Sequence, residues 1–547
     1  MMETSCRRLA PIFPSDCLFF GCLLFRCLLV GRLLLGLLLL GLFPAGTALH
    51  AAENAPAPSS GGFQSIVGAT GPLKITMVEA VLICLENNAS LAVQRLNPAI
   101  RQTSETEAAA IFDPTLNADV AAGRTEGERL ARSGSETESF TNDEAQGIIS
   151  LSQYFPTGTT VALEADTQYT DSSLYDDSFY ETRFGMTVNQ ALLRGLGRDV
   201  NLVRLRQARL ETRMSEYELR GFSEALVAEV EHTYWDYALA QRQIEIVEES
   251  LKVARQQLNE TEQLIEVGRL ARAELAAVQA EVAAQEQARI EARANRESMR
   301  LRLLRLLNPP GPRIWERDVT LIYEPTLPDI RLEPVEQYVA VAMRMRPILN
   351  QTRLEIERGD LELVKTRNGL LPRLDLFVTL GKSGYANSFG DTFDRLDGDS
   401  YDAQAGLTFQ LPLFNREAEA LHRRAQLTRE QTQKAMNNLA QLVEVDVRTA
   451  HIEVDRTQQQ IGASSATRRF DEEKLRTETE KLRVGRSTSY LVAQAQRDLL
   501  ASRLAEVRAL VNYIKALIDL YRLDGSLLER RGIAAPGREP VQLQKMK

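Results

Sequence analysis

The sequence predicts a mainly α-helical fold with a membrane β-barrel portion, built from duplicated long antiparallel helical hairpins, each preceded by strands. Three observations predict it. Proline is absent between Pro156 and Pro309 and between Pro412 and Pro536; because proline breaks helix interiors, these spans admit very long helices. Apolar residues recur every seven positions along the first span. Period-two runs precede each span, and a wall with one apolar and one polar face is what a membrane β-barrel needs. A soluble sandwich would give a similar pattern.

The chain begins with Arg7 and Arg8, followed by a Leu-rich run from Leu18 to Phe43 and then by small residues, Ala45-Gly46-Thr47-Ala48 and Ala51-Ala52. This order describes a secretory signal peptide over residues 1–51, cut after Ala48 or Ala51. A retained membrane anchor is the alternative, since the run is long and carries Arg26 and Arg32. Removing residues 1–51 takes away four arginines and two acids and lowers the net charge from −9 to −11. Residues 52–72, with Pro56, Pro58 and a Ser-Ser-Gly-Gly run, read as a flexible leader.

The 547 residues are 44 % hydrophobic and 25 % charged, which excludes a disordered or collagen-like chain. The acidic balance argues against a nucleic-acid binder. Four histidines, His50, His232, His422 and His451, form no metal-ligand spacing. Four of the five cysteines (Cys6, Cys17, Cys22 and Cys27) lie in the signal region, so the lone Cys84 has no internal partner and suits an apolar helix face. No catalytic constellation, metal site or cofactor motif stands out, so no enzyme is expected. Gly195-Leu196-Gly197 lacks the third glycine of a dinucleotide fingerprint.

Residues 73–307 form a first repeat. Thr76-Met77-Val78-Glu79 is a capping-box helix start, and a second helix is expected near 89–110. After Pro114 come strand-like runs, Ile148–Tyr154 and Thr159–Tyr169 around Pro156-Thr157-Gly158, and then Thr182–Gln190. The acidic 126–144 stretch reads as a solvated external loop. A helix of roughly 65 residues follows, breaks at Val267-Gly268-Arg269, and returns for roughly 35 more. On the first arm Val230, Tyr237, Ile244, Leu251, Leu258 and Ile265 make one heptad seam, and Leu226, Thr233, Ala240, Val247, Ala254 and Thr261 its companion. An ordinary four-helix bundle is the alternative.

Residues 308–333 are a Pro-rich linker (Pro309, Pro310, Pro312, Pro325, Pro328). Residues 334–523 repeat the pattern. A helix starts near Pro334, another spans 347–368, strands fall at 374–380 and Gln404–Leu411, and a second long hairpin breaks at Val484-Gly485-Arg486. Residues 524–547 are a C-terminal tail. The halves differ in one interval: Pro114 to Gln190 is 38 residues longer than Pro372 to Gln410. Whether the extra pair widens the sheet or folds beside it is not readable from sequence. Asp391, Asp394, Asp397, Asp399 and Asp402 form a dense acidic run without EF-hand spacing, read as an external loop.

This order of elements resembles the TolC-type outer membrane efflux proteins, over roughly residues 73–523. Gly369-Leu370-Leu371-Pro372-Arg373-Leu374 resembles the family's strand start. Met345-Arg346-Pro347 resembles its Arg-Pro helix start. Asn189-Gln190-Ala191-Leu192-Leu193-Arg194-Gly195 and Phe409-Gln410-Leu411-Pro412-Leu413-Phe414 resemble its strand-to-helix joints, and Leu482-Arg483-Val484-Gly485-Arg486-Ser487 its second tip. The resemblance implies a homotrimer whose strands close one barrel in outer membrane lipid and whose helices form an α-barrel across the periplasm. The linker 308–333 then lies in the equatorial region. It implies passive efflux or type I secretion, driven by an inner-membrane transporter through a periplasmic adaptor (a membrane fusion protein), with no cofactor and no nucleic acid. The tips, Val267, Gly268, Arg269 and Leu270 with Val484, Gly485, Arg486 and Ser487, would meet the adaptor. Leu491 and Gln494 stand where some members carry ring aspartates. A gate is therefore expected from Glu274 pairing with Arg486 or Arg483, together with a Gln494 ring. The rival reading is a membrane-anchored periplasmic coiled-coil adaptor or scaffold.

Overall fold

The computed structural model describes residues 72–130, 134, 137–322 and 331–542. The signal peptide and nearly all of the leader lie outside these residues. The first repeat opens with β1 (Leu73–Ile75), α1 (Met77–Asn87) and α2 (Ala89–Ala109). Thr76 and Glu79 close the capping box reciprocally: Thr76 N donates to Glu79 Oε2 at 2.8 Å, and Glu79 N donates to Thr76 Oγ1 at 3.3 Å. Cys84 is buried on α1, and burial pushes its thiol up to about 12, so it packs as a small apolar group.

Four strands follow, β2 (Thr115–Leu130), β3 (Thr137–Phe155), β4 (Thr159–Ser172) and β5 (Phe179–Ala191). The first long hairpin is α3 (Val203–Glu266) and α4 (Glu274–Leu307). After β6 (Val319–Leu321), the second repeat runs through α5 (Val335–Met345), α6 (Pro347–Gly369), β7 (Arg373–Ala386), β8 (Tyr401–Gln410), α7 (Arg416–Arg483) and α8 (Ser489–Leu523). At 1.5 Å per residue α3 and α7 are each about 100 Å long. No described helix is long and apolar enough to cross a membrane.

Both heptad seams of α3 face protein. Val230, Tyr237, Ile244 and Leu251 are buried, as are Leu226, Thr233, Ala240, Val247, Ala254 and Thr261. Leu258 and Ile265, nearest the tip, are only half-buried. The main core sits at the waist, where Tyr234, Leu303, Leu307, Leu349, Val447 and Leu520 pack together.

At that waist the Pro-rich linker contributes a strand that its sequence did not suggest. β6 pairs in parallel with β1, Leu73 opposite Val319 and Ile75 opposite Leu321. Tyr237 Oη donates to Val319 O at 2.9 Å and Tyr234 Oη to Ile322 O at 3.1 Å, which fixes this ribbon on α3.

The remaining strands form one antiparallel sheet in the order β2-β3-β4-β5-β7-β8, with the repeats joined at β5–β7. The extra residues of the first repeat therefore widen the sheet. The acidic 126–144 stretch is mostly strand, contrary to the loop expected of it. Two of its acids stand opposite arginines: Arg124 pairs Asp143 at 2.7 Å and Arg129 pairs Glu138 at 3.5 Å across the β2–β3 ladder.

The sheet has two unlike faces. Following the register, one row runs Leu116, Leu151, Leu163, Met186, Leu380 and Ala403 across all six strands. The adjacent row, on the opposite face, runs Asn117, Ser150, Glu164, Gly185, Gly381 and Asp402. The exposed large apolar side chains on the strands fall on the first face, apart from Tyr385, whose hydroxyl donates to Glu181 at 2.8 Å.

The C-terminal segment is docked. Leu527 and Leu528 are fully buried, Arg531 forks onto Glu231 of α3 at 2.6 and 2.7 Å, and Val541 N donates to Asn350 Oδ1 at 2.9 Å.

Candidate functional site

The two long hairpins turn in the same way. At the first, Gly268 takes φ 71°, its N–H donates to Ile265 O at 3.0 Å, and Arg269 N donates to Leu264 O at 2.8 Å. At the second, Gly485 takes φ 74°, its N–H donates to Leu482 O at 3.0 Å, and Arg486 N donates to Lys481 O at 2.8 Å. Both are Schellman caps, in which a left-handed residue satisfies the last helical carbonyls; glycine takes that conformation without strain. The duplicated Val-Gly-Arg is thus a duplicated helix terminator. Each cap leaves its valine outward: Val267 is 69 % and Val484 70 % exposed, beside exposed Arg269 and Arg486. Leu270 and Ser487 are half-buried, and the Ser487 hydroxyl donates to Glu478 at 2.7 Å.

The turns differ in how the return helix starts. Thr488 caps α8 by accepting from Leu491 N at 3.4 Å. Ala273 gives α4 no side-chain cap. Glu274, the first residue of α4, instead reaches the other hairpin and accepts from the backbone N–H of Ser489 at 2.9 Å. A carboxylate at a helix N-terminus meets both a free donor and the positive end of the helix dipole. The expected pairing of Glu274 with Arg483 or Arg486 is not formed within the protomer, because the unsatisfied amide of α8 lies closer to hand. Arg483 pairs with its own-helix neighbour Glu480 at 3.0 Å. Gln494 is exposed.

A second inter-hairpin link lies seven residues further along α4. Glu281 is 1 % exposed and accepts from Arg497 of α8 at 2.7 Å and from Gln285 at 2.8 Å. Sequence reading missed this pair. Its signal was the heptad step from Glu274 to Glu281 within an alanine-rich face. Arg503 of α8 adds a longer contact to Glu249 of α3 at 3.3 Å.

The waist holds a buried charged cluster. Arg220, 1 % exposed, donates to Glu224 at 3.1 Å and also reaches Glu529 of the C-terminal segment. Burial pushes the Glu224 carboxyl up to about 7 against the pull of Arg220, and that of Asp524 up to about 6. An open cleft of about 330 Å³ nearby is lined by Glu229, His232, Asp236, Arg302 and Lys515 among others. Its charges are largely spent internally, Lys515 on Asp236 at 2.9 Å and Arg302 on Glu229 at 3.6 Å.

The five aspartates between Asp391 and Asp402 do not share one loop. Asp391 and Asp394 lie on a short helix, Asp397 on a 3-10 turn, and Asp402 on β8, where it pairs Arg183 at 2.8 Å. No group of three or more metal-ligating side chains occurs among the described residues.

A sheet with an exposed apolar face, mounted on two paired rods about 100 Å long with matched ends, defines an outer membrane channel protein. The outer membrane efflux protein family matches over residues 83–309 and 340–526. The chain belongs to that family, and it is an outer membrane efflux channel, not an enzyme. Its fold is similar to that of the Campylobacter jejuni CmeC outer membrane channel (15 % identity, 82 % of this chain and 86 % of that one, TM-score 0.61). It is also similar to the outer membrane protein VceC of Vibrio cholerae (16 %, 82 % and 96 %, TM-score 0.60). The Neisseria gonorrhoeae MtrE outer membrane channel in its open state is a third (18 %, 82 % and 89 %, TM-score 0.57). No curated protein sequence matches the chain.

Proposed function

We propose that three copies of this chain form one continuous conduit, a β-barrel in the outer membrane above an α-barrel that extends through the periplasm. Substrate enters at the helical tips and leaves at the cell exterior. The chain supplies no energy; an inner-membrane transporter, coupled through a periplasmic adaptor, drives transport by efflux or type I secretion. The observation that carries this reading is the sheet: its apolar face is exposed and, among the described residues, both its edges are unpaired. Unpaired backbone groups cannot face lipid, so a lone copy is incomplete in a membrane.

The tips are the proposed adaptor contacts. Val267 and Val484 offer apolar surface, and Arg269 and Arg486 offer donors for partner carboxylates or carbonyls. The proposed gate is the joint between hairpins, where Glu274 holds the Ser489 amide, together with exposed Arg483 and Gln494. The exposed apolar rows of the sheet and family membership weigh against a periplasmic coiled-coil scaffold.

The test is fractionation, gel migration and single-channel recording. An outer membrane trimer that survives mild denaturant and conducts is expected. A protein that stays soluble and monomeric without detergent sinks the proposal. Glu274→Ala should raise the conductance of the resting trimer; unchanged conductance removes Glu274 from the gate.

A further inference from the structure

We propose that three copies close an eighteen-stranded barrel, the β8 edge of each copy pairing with the β2 edge of the next, so that the outlet is wide. This inference rests on the trimeric reading above and adds the identity of the joint and the width of the opening.

Four observations carry it. First, the hairpin made by β2 and the upper part of β3 is continuous with the rest of the sheet: all sixteen residues of β2 pair with β3, from Thr115 opposite Ser152 to Leu130 opposite Thr137. Second, the two-faced pattern does not stop at β3. Leu116 and Leu151 continue the apolar row of Leu163, Met186 and Leu380, and Asn117 and Ser150 continue the polar row. A hairpin folded beside the barrel would have no reason to keep this phase, because a one-residue slip would invert it. Third, the edges are complementary in direction. β2 runs away from the helices that precede it and β8 runs toward the helix that follows it. Placed side by side, they are antiparallel, as every other neighbour in the sheet is. Fourth, both edges carry exposed apolar side chains on the same face, Leu116 and Val120 on β2, Leu407 and Phe409 on β8. An edge open to hydrocarbon would leave a row of unsatisfied N–H and C=O groups, so another strand must cover each. A second copy brings a matching edge of the right direction and facing.

Width follows from strand number. With strands about 4.8 Å apart and tilted about 40°, eighteen strands give a backbone diameter of about 36 Å, against about 24 Å for a barrel without β2 and β3. The backbone cross-section is then roughly twofold larger.

The joint is tested by thiol cross-linking in outer membrane fractions of the full chain. Thr408 on β8, Asn117 on β2 and Thr160 on β4 all fall on the polar face. Thr408→Cys combined with Asn117→Cys, or with Thr115→Cys or Asp119→Cys to cover register, should give covalent dimers and trimers with a short bis-maleimide. Thr408→Cys with Thr160→Cys should stay monomeric on denaturing gels. Cross-linking to β4, or to no β2 position in an intact trimer, overturns the proposal while leaving the channel reading standing. Failure to form trimers overturns the channel reading itself.

The width is tested by excising residues 115–152, whose ends already sit opposite each other. Polyethylene glycols of graded size, added from the outer side during single-channel recording, should show a smaller exclusion limit in the excised channel. They should also show an outlet cross-section reduced about twofold. An unchanged exclusion limit in an excised trimer that conducts overturns the proposal. If the excised chain does not assemble, the cross-linking result decides.

Discussion

Arg497 offers the sharpest test of how the two hairpins are held together at the proposed entrance. Its guanidinium, 44 % exposed, meets a Glu281 carboxylate that is 1 % exposed, across the contact between the two hairpins. Truncation by Arg497→Ala leaves Glu281 buried with only the Gln285 amide as a partner. Breaking a fully buried pair costs about 3–5 kcal/mol. The arginine side is half in solvent, and discounting for that brings the loss to about 2–3 kcal/mol. If the closed form of each protomer is favoured about 99 to 1, such a loss raises the open fraction from about 1 % to between about a quarter and three-fifths. The assay is single-channel recording of the purified channel in planar bilayers, with thermal unfolding in parallel. We predict a rise in mean current of about tenfold or more for Arg497→Ala. The double variant Glu281→Ala with Arg497→Ala should recover thermal stability, because no buried charge remains, yet stay conductive, because the link is still absent. Wild-type current in a well-folded Arg497→Ala trimer would refute the reasoning, and so would a current that returns to baseline in the double variant.

Other predictions follow the same physics. Arg531→Ala strips both hydrogen bonds from the fully buried Glu231 and should destabilise the docked C-terminal segment by about 3–5 kcal/mol, read as faster proteolysis there; adding Glu231→Gln should recover much of it. Because the folded state holds Glu224 and Asp524 protonated to about 7 and about 6, above the ordinary carboxylate range, it binds protons that the unfolded chain releases. Stability of the waist should therefore fall as pH rises from about 4.5 through 7, by on the order of 3 kcal/mol, and Glu224→Gln should flatten that slope in pH-dependent melting. At Gly485 an added Cβ meets nothing, so Gly485→Ala should cost only the backbone strain of about 1–2 kcal/mol; hydrogen exchange should accelerate at the Arg486 amide with the trimer intact. On the polar sheet face Asp119, Glu164, Asp166 and Asp375 outnumber Arg183 and Arg373, so reversal potentials should show cation preference that weakens in Glu164→Gln with Asp166→Asn.

Much of the candidate site is legible in the residues themselves. Val267-Gly268-Arg269 and Val484-Gly485-Arg486 read as helix breaks because a left-handed cap is a local event, satisfied within six residues. Glu274 is legible as a residue that reaches the second hairpin, but its partner is not. The guanidiniums of Arg483 and Arg486 and the amide of Ser489 are neighbours in sequence, and only the relative height of two helices selects among them. Glu281 and Arg497 are 216 positions apart and carry no motif, so nothing local pairs them. The acidic 126–144 stretch misleads because charge density suggests a solvated loop, whereas its residues lie on two paired strands where Asp143 and Glu138 stand opposite Arg124 and Arg129.

Periodicity, the proline-free spans and the two glycine breaks determined the long rods, their duplicated turns and the alternating strands, since each depends on contacts along one element or between adjacent residues. Tertiary structure alone decided what those elements meet. It placed β6 of the linker against β1, laid the C-terminal segment on α3, and joined the extra hairpin to the barrel sheet. These are pairings between residues far apart in the chain, and hydrogen-bonding edges and buried charges carry no address for their partners until packing brings one of several chemically equivalent candidates within reach.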